Sequence, residues 1–164
     1  MSPALERRLV PVSGLPEAQP CEEADSRLSI AVIFTSLDST LAALKKAGAL
    51  AARLRACITL VVPQIVPYPL PLTSPPVLLD FSERRFRVIA GEIPVETTIC
   101  IYLCRDRGET LMTVLKPHSL VVVGGREGWW PTPEMRLARK LRRGGHEVVF
   151  AGNRAGSRNK NGSL

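Results

Sequence analysis

The residues best suited to chemistry lie in Ser119–Gly128, SLVVVGGREG. A run of β-branched residues ends in adjacent glycines, Gly124 and Gly125, followed by Arg126 and a third glycine, Gly128. In an open parallel sheet, a strand that runs into a glycine turn lets a ligand approach bare backbone closely. Backbone N–H groups presented without side chains suit anionic oxygens. The chemistry on offer is phosphate binding. Bond-making chemistry has weaker candidates. His118 and His146 precede predicted strands at the end of the sheet opposite the expected crevice, and both are expected to be exposed. No His, Cys and Asp residues stand at metal-ligand spacing. Asp38, Asp80 and Asp106 form no acidic site of the kind a phospho-receiver needs. The residues therefore read as a binding protein rather than an enzyme.

Composition bounds the carrier of that turn. The chain has 164 residues, 45% hydrophobic and 23% charged, enough for one globular domain with a core. No apolar run approaches the roughly 18 residues that span a bilayer. The first 27 residues are proline-rich and mixed in charge, without the apolar stretch of a secretory signal. A cytoplasmic protein is expected, and the cysteines agree. Cys57, Cys100 and Cys104 fall in or beside strand-like runs and are expected as buried thiols, with Cys21 exposed in the leader.

The charge is uneven. Residues 134–164 hold Arg136, Arg139, Lys140, Arg142, Arg143, Arg154, Arg158 and Lys160 against Glu134 and Glu147, which is +6 of the net +7. Such a block suits a nucleic acid, anionic lipid or an acidic partner, or is a solvated face. No aromatic residue interleaves with these cations, which weakens stacking on single strands.

The elements that must position the turn alternate. Residues 1–27 read as a flexible leader and 152–164 as a disordered basic tail. Between them, the domain 28–151 begins with a buried strand, Leu28–Thr35. A helix over Asp38–Ala56 follows, capped by Ser36 or Ser39 and with Leu41, Leu44, Ala47, Leu50, Ala51 and Leu54 near one face. Cys57–Val62 is a second strand stopped by Pro63. Pro63–Pro76 carries six prolines in fourteen residues and is expected as a stiff extended loop. Its apolar residues must cover a groove or face a protein partner. Val77–Ile89 reads as a helix with Arg84, Arg85 and Arg87 toward solvent. Val95–Cys104 is a strand, Asp106–Leu115 a helix, Ser119–Val123 a strand, Pro133–Arg143 a basic helix capped by Thr132, and His146–Ala151 a fifth strand. This is an α/β protein with a five-stranded parallel sheet and helices on both faces. Right-handed crossovers give the order 3-2-1-4-5, with a crevice at the carboxyl ends of the first and fourth strands.

Three stretches resemble the universal stress protein family. IAVIFTSLDSTLAAL is similar to its opening strand, turn and helix; RGETLMTVLKPHSLVVVGGREG to its third helix, fourth strand and glycine turn; HEVVFAG to its fifth strand. The resemblance covers about Leu28 to Ala151. It implies a nucleotide-hydrolase-like fold, a stress-response role, and a homodimer paired through His146–Ala151, which would also hide a sheet edge. It also implies a test for ATP. Binding members carry an Asp after the first strand and G-x2-G-x9-G followed by Ser or Thr after the fourth. Here Thr35 stands in place of the Asp. Glu127 stands where the second glycine belongs, where its carboxylate would oppose a phosphate by about 1 kcal/mol or more. Trp129-Trp130-Pro131-Thr132-Pro133 replaces the remaining glycine-rich stretch, and the two tryptophans are expected to plug the cleft. Weak or lost ATP binding is expected, with no firm cofactor. If a nucleotide does bind, Thr35, Val62, Gly124, Gly125, Arg126, Gly128 and Thr132 line it. A third reading is nonspecific nucleic-acid association through the basic helix and tail.

Overall fold

The computed structural model describes residues 6–11, 28–72 and 79–153. In chain order these form β1 (Glu6–Pro11), β2 (Ser29–Ile33), α1 (Leu37–Leu54), β3 (Cys57–Ile65), α2 (Leu79–Gly91), β4 (Thr97–Cys104), α3 (Arg107–Val114), β5 (Leu120–Arg126), α4 (Pro133–Arg143) and β6 (Glu147–Asn153). The sheet order is β1-β4-β3-β2-β5-β6. β2 to β6 are parallel to one another and realise the expected order 3-2-1-4-5.

The strands read as continuous apolar runs because both faces are covered. Successive residues point to opposite faces. Ile30, Val32, Ile58, Leu60, Ile99, Ile101 and Val122 pack under α1 and α2. Ala31, Ile33, Val61, Cys100, Val121, Val123 and Val148 pack under α3 and α4. α1 meets the sheet through Ala43, Leu44, Ala47 and Ala51, all buried, and three alanines at four-residue spacing let its axis lie close. α2 turns Phe86, Ile89 and Ala90 inward and leaves Arg84, Arg85 and Arg87 exposed, as the spacing predicts. Among the described residues, no helix is long and apolar enough to cross a membrane.

Three expectations need correction. Part of the stretch read as a flexible leader is a strand: β1 pairs antiparallel with β4, from Glu6 opposite Leu103 to Pro11 opposite Thr98. The outer edge of β4 carries backbone groups that need partners, and the six residues of β1 pair with them. The rest of that leader lies outside the described residues. Second, Pro63 does not stop β3, which runs on to Ile65 alongside β4. The carbonyl of Val61 accepts from Phe34 N at 2.9 Å, toward β2. Pro63 faces the same side two residues later, where β2 has ended, so its missing N–H has no ladder bond to forfeit. Third, β5 does not end at Val123. It continues extended through both glycines to Arg126 because β6 also continues, with Gly124 opposite Ala151 and Arg126 opposite Asn153. Gly152 and Asn153, counted in the tail, are thus part of β6; the tail beyond them lies outside the described residues.

Candidate functional site

The switch point of this sheet lies between β2 and β5. From there the chain winds outward in both directions, and a crevice is expected at the carboxyl ends of the two strands. On the β2 side, Ser36 caps α1, its hydroxyl accepting from Ser39 N at 3.4 Å. Thr35 precedes it and is held at both ends. Its N–H donates to Thr40 Oγ1 at 3.2 Å, and its own hydroxyl donates to the carbonyl of Gly124 at 3.0 Å. The Thr35 hydroxyl is therefore engaged in bridging the end of β2 to β5.

Gly124 serves packing. A Cβ on it would overlap the Ser39 carbonyl and lie 3.2 Å from Ala43 Cβ. The first turn of α1 rests directly on this backbone, as only glycine allows. Gly125 has a different neighbour on its other side: a Cβ there would meet Phe150 Cζ at 2.6 Å and Glu134 Cβ at 2.8 Å. Both glycines are buried, so the expected phosphate turn is a packing device.

The other expected site residues divide. Val62 is buried in the core beneath α1 and α2. Arg126 and Gly128 are exposed. Thr132 caps α4, its hydroxyl accepting from Met135 N at 3.3 Å, with Pro133 in the first helical turn. Glu127 lies with its side chain against Gly152 of β6, on the far side of β5 from β2. The structure thus joins Thr35 to Gly124, leaves Val62 in the core, and sets Arg126, Gly128 and Thr132 along the β5–α4 connection. The N-terminal turns of α1 and α4 each carry a carboxylate, Asp38 and Glu134, which opposes a second anion there.

Two expectations about side chains are overturned. The tryptophans do not plug the cleft: Trp129 is 95% exposed and Trp130 79%. The loop that carries them projects beyond β5, because Gly124 and Gly125 leave no room for a ring between α1, α4 and the sheet. His146 is not exposed but buried, with 7% of its surface open, and its Nδ1 has no hydrogen-bond partner. The Gly144-Gly145 turn folds it under the end of α4, where its N–H donates to Leu141 O at 3.2 Å. His118 is exposed, with Nδ1 3.2 Å from Gly145 O. Both histidines lie at the amino-terminal end of the sheet, away from the switch point.

Cys57, Cys100 and Cys104 are buried and stand outside any disulfide. Burial pushes the Cys104 thiol up, against smaller opposing effects of Thr110 and Arg107. A raised thiol of this kind is a poor nucleophile. Among the described residues, no group of three or more His, Cys, Asp or Glu is placed to hold a metal.

Two constructions escape sequence reasoning. Arg105, between β4 and α3, donates to the carbonyls of Val66 and Leu70, both at 2.6 Å, and its guanidinium lies 4.1 Å from the centre of the Tyr68 ring. It clamps the described part of the proline-rich loop, burying Val66 and leaving Tyr68 81% exposed. Nothing in the local pattern distinguishes this arginine from a solvated one. The second lies on the outer edge of β6. Glu147 N donates to Ser119 O, toward β5, so Val148 and Phe150 present their backbone outward. Arg142 of α4 donates to Val148 O at 3.0 Å, and Lys46 of α1 to Phe150 O at 3.2 Å. Cations from opposite layers hold the edge expected to pair with a second copy.

Set against known proteins, the chain matches no family model and no curated protein.

Proposed function

We propose that this chain is a non-catalytic binding or signalling module of the universal stress protein type, acting in the stress response in the cytoplasm, in which tight ATP binding at the switch point has been lost. The observation that carries this reading is the Thr35–Gly124 hydrogen bond, together with the seat of α1 on Gly124. A hydroxyl already donating to a backbone carbonyl offers no charge to a ligand, and a glycine pressed against a helix cannot turn its N–H toward a phosphate. The parallel sheet of order 3-2-1-4-5 supports the relationship at the level of architecture. Three buried cysteines that form no disulfide support a reducing compartment.

Isothermal titration of the full chain with Mg-ATP tests the reading. We expect no binding tighter than a Kd of about 1 mM. Micromolar binding would overturn it and favour a relaxed nucleotide site.

Self-association through β6 is part of the proposal, and Lys46 and Arg142 set its strength. Pairing with a second copy requires the carbonyls of Val148 and Phe150, so both cations must withdraw. Each hydrogen bond contributes about 1 kcal/mol. The double variant Lys46→Met, Arg142→Met is therefore expected to self-associate at least about tenfold more tightly in sedimentation equilibrium. Unchanged association would show that this edge is not the contact. The proline-rich loop, with Tyr68 displayed on the Arg105 clamp, is the proposed contact for a protein partner.

A further inference from the structure

We infer that the β5–α4 connection and the outer face of α4 form a binding surface for single-stranded nucleic acid, independent of the switch-point crevice. Trp129 and Trp130 are adjacent and almost wholly exposed, so their rings are open to stacking. Aromatic side chains of this size gain much from burial and are costly to leave bare. They stand immediately before α4, whose exposed residues beyond its opening Pro133 are all basic.

Arg136, Arg139 and Arg143 follow at steps of three and four, so they share one face of the helix. They make a track of positive charge about 10 Å long. Arg126, exposed at the end of β5, alternates onto the α1 side of the sheet and adds nothing to this track. Arg142 is committed to the β6 edge, and Lys140 reaches toward Gly108, so neither is counted. Of the nearby carboxylates, Glu127 is exposed with its side chain against Gly152, and Glu134 is half-buried in the first turn of α4, leaving the positive charge of Arg136, Arg139 and Arg143 in excess.

Charge complementarity requires a polyanion, and the rings select among polyanions. Every base has a face on which an indole can stack once it is free of a duplex. A closed duplex withholds those faces, and an acidic peptide has none. A membrane surface asks for an apolar helix face to sink into the interface, whereas α4 has spent its apolar face, Leu137, Ala138 and Leu141, on the sheet.

The chain has two tryptophans, both at this site, so its intrinsic tryptophan fluorescence reports on the surface directly. Titrating the full chain at low salt with oligothymidylate of about 20 nucleotides, longer than a typical single-strand site, is expected to quench that emission saturably. Labelled-oligonucleotide anisotropy should follow the same curve. Trp129→Ala and Trp130→Ala should each weaken binding about tenfold, with unchanged melting curves because neither ring is packed. Arg136→Ala with Arg139→Ala should reduce the slope of log affinity against log salt by about 1.4. The inference is overturned by absence of quenching at low salt, by duplex binding that matches single strands and ignores the tryptophan variants, or by quenching seen only with phosphatidylglycerol vesicles. Mg-ATP binding at the crevice is read separately, so failure of either proposal is distinguishable from failure of the other.

Discussion

Gly124→Ala is expected to lower the melting temperature by about 10 °C. The added Cβ would occupy the position of the Ser39 carbonyl, which belongs to the first turn of α1 and cannot rotate aside. Either α1 lifts from the sheet or β5 sinks, and both disturb the layer built on Ala43, Leu44 and Ala47. Overpacking against side chains costs about 1–3 kcal/mol. Overlap with fixed backbone belongs at the upper end, and about 3 kcal/mol corresponds to a shift of this size in a domain of this length. Gly128→Ala supplies the contrast. The closest atom to a Cβ there is Trp130 O at 3.9 Å, so its melt should stay within about 0.5 kcal/mol of the parent. If instead Gly128 proves the sensitive position and Gly124 the tolerant one, the described packing of α1 is wrong.

Arg105→Met should release the proline-rich loop. The substitution keeps an apolar stem but removes two charge-assisted hydrogen bonds and the cation over Tyr68. Such bonds count for more than neutral ones, although the bond to Leu70 is exposed and is discounted for solvent. A net loss of about 2 kcal/mol is expected, part of it local to residues 66–70. Limited proteolysis should therefore cut this segment at least about tenfold faster, alongside a lower melting temperature. Arg105→Lys should not restore the clamp, because a single ammonium cannot serve the two carbonyls and the ring face as a planar guanidinium does. Equal cleavage rates in parent and variant would remove Arg105 from the account of this loop.

The parts of the molecule that follow from local pattern were legible in the sequence. The apolar runs of β2 to β6, the amphipathic spacing of α1 and α2, and the Ser36 and Thr132 caps each depend on residues close together in the chain. Together with crossover handedness they fix the sheet order. The site depends on long-range juxtaposition and was harder to read. Gly124 and Gly125 have the composition of a phosphate turn, but what decides their role is Ser39 above one and Phe150 beside the other, distant in sequence and adjacent only after folding. The burial of His146 and the exposure of the tryptophans failed for the same reason: each depends on whether neighbouring layers leave room. The short strand Glu6–Pro11 was masked by proline-rich surroundings and takes its reason for pairing from the open edge of β4.

The clasp that Lys46 and Arg142 make on β6 has a consequence for how this protein fails. The two side chains come from helices on opposite faces, so the strand edge stays occupied only while both α1 and α4 remain docked. Partial melting of either helix would bare a carbonyl on an extended parallel strand rich in valine. Loss of helix packing and exposure of an aggregation-competent edge are thereby one event, and heating should bring turbidity at the onset of helix loss.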